Sequence, residues 1–75
     1  MITKPLRDGY SLRIQDSVQD ASPWHSLVDP CGFDIVLVHT QTHDVRFHVG
    51  WSRSIPGWAV AELLAAAWIV AGVII

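Results

Sequence analysis

The chain has 75 residues, a formal net charge of −2 and a hydrophobic fraction of 51%. That length allows one domain at most. A single cysteine, Cys31, excludes an internal disulfide, and five scattered Lys and Arg exclude the basic field that nucleic acid demands of its binders.

The composition averages two unlike parts. Residues 1–54 hold every Lys, Arg and His, whereas Glu62 is the one charge in residues 55–75. Residues 1–32 read as irregular, broken by Pro5, Gly9, Pro23, Pro30 and Gly32. Within them YSLRI (10–14) alternates as a short strand does, SVQDA (17–21) fits one turn of helix, and SPWHSLVDPCG reads as a loop that docks Trp24, Leu27 and Val28. The start, MITKPLRDGYSL, lacks the apolar core and cleavage site of a secretory signal.

Phe33 to Trp51, FDIVLVHTQTHDVRFHVGW, is the clearest element of the head. Two β-branched and aromatic runs flank QTHD, which predicts a β-hairpin. A two-residue loop (His43-Asp44) or a four-residue loop (Gln41 to Asp44) puts Val36, Val38, Thr40 and Thr42 on one face with Val45, Phe47, Val49 and Trp51. A three-residue loop would mix the faces. A hairpin alone is marginal in water, so its apolar face needs cover from residues 10–28 or from a partner.

Ser54 is placed to cap the next element, and Pro56 stands where a first helical turn tolerates proline. Ile55 to Ile75, IPGWAVAELLAAAWIVAGVII, then forms a helix of roughly 31 Å at ~1.5 Å per residue, enough to cross a bilayer. Arg46 and Arg53 precede it and nothing basic follows, so the positive-inside bias expects a single-pass membrane protein with a cytoplasmic N-terminus. The expected fold class is a small α+β membrane protein: irregular 1–32, hairpin 33–51, and one transmembrane helix over 55–75.

Inside that helix Gly57, Ala61 and Ala65 recur every four residues, as do Ala67 and Ala71, and such small residues let helices approach closely. Gly57, Ala61, Glu62, Ala65, Trp68 and Gly72 are therefore the expected partner contacts, with Glu62 pairing to a neighbour's basic or backbone donor. The two-residue-loop register sets His39 opposite His48, the one candidate metal pair. No C-x-x-C or H-E-x-x-H spacing supports it, and no cofactor is expected. With no Ser/His/acid trio and no Gly-rich phosphate loop, catalysis is not expected.

The function expected from these features is contact. The chain reads as a single-span accessory subunit of a larger integral membrane complex (respiratory, photosynthetic or transport), with the bilayer as its second partner. Two alternatives stand beside it. One is a small regulatory or phage-encoded membrane peptide acting on a host protein; the other is a soluble interaction module whose C-terminal helix is buried in an oligomer.

Overall fold

The computed structural model describes residues 1–16, 22–47 and 55–74, with side chains as far as Trp68. Five strands form one antiparallel sheet in chain order: β1 (Ile2–Pro5), β2 (Ser11–Ile14), β3 (Trp24–Val28), β4 (Asp34–His39) and β5 (Val45–Phe47). One helix, α1 (Gly57–Ile74), lies over β2, β3 and β4.

Short turns set this meander. Between β1 and β2, Asp8 and Gly9 take left-handed φ of 59° and 82°, and Leu6 N–H donates to the Tyr10 carbonyl at 2.8 Å. Glycine suits the second position twice over, because a Cβ there would stand 3.0 Å from Cβ of Pro30. Between β3 and β4, the buried Asp29 carboxylate accepts from Cys31 N–H at 3.0 Å and Phe33 N–H at 2.8 Å, an Asx-type turn that Gly32 closes at φ 91°. Thr40 to Asp44 connect β4 to β5, and His43 within them has φ 61°.

The registers Leu12↔Leu27, Leu27↔Val36 and Val38↔Val45 gather an apolar row on one side of the sheet. Leu12, Ile14, Leu27, Val36 and Val38 there meet Ala59, Leu63 and Ala67 of α1 in the core. A one-residue register shift beside Leu27 and Val28 lets Ile35 join the core next to Val36, while Asp34 turns to the other side and meets Arg13 at 3.5 Å. Pro56 immediately precedes α1, one residue before the expected first-turn position, and its carbonyl accepts from Ala59 and Val60 N–H.

The expected fold class is corrected in two respects. The supposedly irregular residues 1–32 supply three strands, and Trp24 to Val28 is a central strand rather than a docking loop. Among the described residues no helix is long and apolar enough to cross a membrane, so the transmembrane helix and the single-pass topology with its cytoplasmic head fall together. The physical reason is visible in α1, whose inner side is sealed by sheet side chains rather than by lipid. The hairpin itself is present, and Val36 and Val38 share a side with Val45 and Phe47 as expected, though in a different register. The helical turn expected at 17–21 and the Ser54 cap lie outside the described residues.

Candidate functional site at the outer row of α1

A helix turns about 100° per residue, which sorts α1 into two opposed rows. Ala59, Leu63 and Ala67 are at most 2% exposed and face the sheet. Ala61, Ala65 and Trp68 lie roughly diametrically across the helix, and all three are exposed. Trp68 is 66% exposed, the highest value among the chain's described large apolar side chains. Between these rows one side of α1 carries Val60 and Leu64 and the other Trp58, Glu62 and Ala66, so Glu62 is the one charge on the helix.

The sheet extends this apolar surface. Because α1 lies over β2 to β4, the edge strand β5 keeps Val45 and Phe47 on the helix side without a roof, 42% and 57% exposed. A cavity of about 140 Å³ opens between α1 and β5, lined by Val38, His43, Val45, Leu64, Ala67 and Trp68. The His43 ring stands 4.8 Å from the Trp68 ring, inclined at 48°. Its Nε2 is buried and has no hydrogen-bond partner among the described residues.

Trp58, in the first turn of the same helix, is settled differently. Tyr10 meets it edge-on at 5.6 Å and the Arg7 guanidinium stands 4.2 Å over its ring, so the tryptophan is half-buried and satisfied within the chain. The other side of the sheet is likewise internally paired. Trp24 takes the edge of His39 at 4.8 Å and the Arg46 guanidinium at 5.2 Å, beside the Arg13–Asp34 ion pair.

Four of the expected contact positions, Gly57, Ala61, Ala65 and Trp68, fall in the outer row and are exposed. A Cβ added at Gly57 would meet nothing within 4 Å among the described residues. Gly72 belongs to the same row by its position in α1, beyond the described side chains. Glu62 flanks the row, and its Oε2 pairs within the chain to Lys4 Nζ at 3.7 Å. Lys4 reaches it because it stands opposite Leu12, on the helix side of β1.

The histidine pair fares otherwise. His39 Nδ1 accepts from the Gln41 and Thr42 N–H groups at 3.2 and 3.3 Å, and His39 N–H donates to the Asp44 carbonyl. This register differs from the one that opposes His39 to His48, and His48 lies outside the described residues. A neutral ring that accepts at Nδ1 carries its proton on Nε2, so His39 has no free lone pair for a metal. The same holds for His25, fully buried on the helix side of β3, whose Nδ1 accepts from Gln15 N–H at 2.9 Å. Burial, and secondarily the charge of His43, hold the His25 pKa below 6.5. No group of three metal-ligating side chains gathers among the described residues.

Sequence reasoning missed Val45, Phe47 and His43 as members of this surface. The first two were legible as one face of a hairpin, but not the fact that α1 stops short of them. No protein family model, curated protein or solved structure matches the chain.

Proposed function

We propose that this chain is a protein-interaction module, a small sheet that supports one helix and presents the helix's outer row and the adjoining β5 to a protein partner. It works by contact, as a subunit or adaptor does. The observation that carries this reading is the exposed row of Ala61, Ala65 and Trp68, set across α1 from a row of similar composition that is sealed. Contiguous exposed apolar surface on a small protein marks an interaction site, and tryptophan at the centre of such a patch is a common energetic anchor.

The test is Trp68→Glu, compared with Arg13→Glu on the far side of the sheet. Association with the stoichiometric partner, measured by sedimentation or native mass spectrometry, falls at least tenfold in the first and stays within about twofold in the second. A second copy of the chain is one outcome of that measurement. Unchanged association in Trp68→Glu, with the wild-type amide spectrum retained, overturns the reading.

A further inference from the structure

The two edges of the sheet are not alike. At β1, Leu6 N–H donates to the Tyr10 carbonyl, and Lys4↔Leu12 and Ile2↔Ile14 continue that register. Antiparallel pairs alternate between hydrogen-bonded and non-hydrogen-bonded, so Thr3 and Pro5 turn their backbone groups outward, where proline has no N–H to offer. Lys4 and Pro5 blunt this edge against further pairing. At β5, His39 N–H donates to the Asp44 carbonyl, and Leu37↔Arg46 is the next bonded pair. Val45 and Phe47 therefore turn their N–H and C=O groups away from β4. No strand pairs with that side among the described residues, and β5 holds neither proline nor lysine.

Charge singles out the occupant of that edge. Asp44 stands opposite His39 and Arg46 opposite Leu37, both on the side of the sheet away from α1. Both are exposed, and neither forms an ion pair among the described residues. Asp44-Val45-Arg46 thus carries opposite charges on either side of one outward-facing residue. Laid antiparallel against a copy of itself about a two-fold axis at Val45, it sets each Asp44 opposite the other copy's Arg46. An axis at Arg46 would oppose two guanidinium groups, and an axis at Asp44 two carboxylates, so the charges select one register.

We propose that two copies of this chain pair through β5, antiparallel about Val45, to make one continuous sheet of five strands from each copy. Each Val45 N–H donates to the other copy's Val45 carbonyl, and an Asp44–Arg46 pair flanks that centre on both sides. The axis stands perpendicular to the sheet, so both helices lie on the same side, with the exposed Val45 and Phe47 of both copies gathered between them. Phe47 comes opposite the other copy's His43, beside Trp68. The proposal rests on the interaction-module reading and names the partner as a second copy.

The test is sedimentation equilibrium of the full chain as wild type, as Asp44→Arg, as Arg46→Asp, and as an equimolar mixture of the two variants. The wild type dimerises, and each variant alone, which opposes like charges at both flanks, dimerises at least about tenfold more weakly. The mixture recovers the wild-type affinity to within about threefold, because one variant supplies both carboxylates and the other both cations. Hydrogen exchange at the Val45 amide is slow in the wild-type dimer and quickens on dilution. A wild type still monomeric at about 0.1 mM, variants that dimerise as the wild type does, or a mixture as weak as its components each overturns the proposal. If either variant loses the wild-type amide spectrum, Val45 exchange decides, and an amide unprotected in the dimer overturns it. These failures leave the module reading standing, since a partner on the outer row of α1 does not depend on Asp44 or Arg46. That reading fails separately, through association that is unchanged in Trp68→Glu.

Discussion

The two rows of α1 are nearly the same in chemistry and opposite in circumstance. Ala59, Leu63 and Ala67 are sealed against Leu12, Leu27 and Val36, while Ala61, Ala65 and Trp68 stand open. A sheet can cover one side of a helix and no more, so a helix that is apolar all round keeps a second side that asks for a partner. The two tryptophans repeat the contrast along the axis. Trp58 finds Tyr10 and Arg7 within its own chain, and Trp68 meets the tilted ring of His43 beside an open cavity. Folding buries one row and leaves the other exposed.

Substitution across the helix is the strongest way to break that comparison. Leu63 is fully buried, and Leu63→Ala should lower unfolding free energy by about 2–5 kcal/mol in urea or guanidinium titration. Ala65→Leu adds a comparable bulk to the exposed row and should change the stability of the isolated chain by no more than about 0.5 kcal/mol. Its effect belongs to association instead. Equal costs at the two positions would mean that both rows are buried in the folded chain, and the distinction between them would be lost.

A second, smaller effect separates the rows by pH. His25 shares its side of β3 with Leu27 and is 1% exposed, and burial first, then the charge of His43, lowers its pKa below 6.5 in the folded chain. The unfolded chain therefore takes up the proton first as the solution is acidified. Stability from neutral His25 is complete above about pH 6.5 and is lost as pH falls through the lower, folded-state value. His25→Asn keeps an acceptor for Gln15 N–H and cannot titrate there, so the slope of stability between pH 7 and 5 should flatten. A slope unchanged by this substitution would assign the acid sensitivity to other groups.

How much of this arrangement was legible depended on whether a residue's neighbour could be read from its own segment. The alternation of YSLRI and the shared side of Val36, Val38, Val45 and Phe47 are local facts, and the strands carry them. The exact pairing was not local. His43 takes a left-handed conformation, and Thr42 Oγ1 accepts from Asp44 N–H at 3.3 Å, so the loop starts at Thr40 and the register moves. β3 was hidden because His25 occupies an inward position and Trp24 an outward one, reversing the usual alternation in WHSLV. The membrane-spanning expectation failed for a related reason. Hydropathy sums every side of a helix, and alanine counts alike whether it meets lipid, a sheet or a partner. The small-residue spacing picks out Gly57, Ala61 and Ala65, which are exposed in α1, although the lipid surroundings expected for them were wrong.

Glu62 marks the border between the rows and carries the smallest expected effect. Its carboxylate and the Lys4 ammonium stand 3.7 Å apart with side chains 47% and 59% exposed, so water and salt screen most of their attraction. Glu62→Gln should therefore cost the isolated chain no more than about 1 kcal/mol at low ionic strength, and the difference from wild type should shrink in 1 M salt. A cost of several kcal/mol that survives high salt would show that Glu62 belongs to the sealed side of the helix. Because Glu62 flanks Ala61, the same variant also tests where the proposed binding surface ends. Association that weakens while stability holds puts the carboxylate under the partner, and association that does not change ends the contact surface at the Ala61–Ala65–Trp68 row.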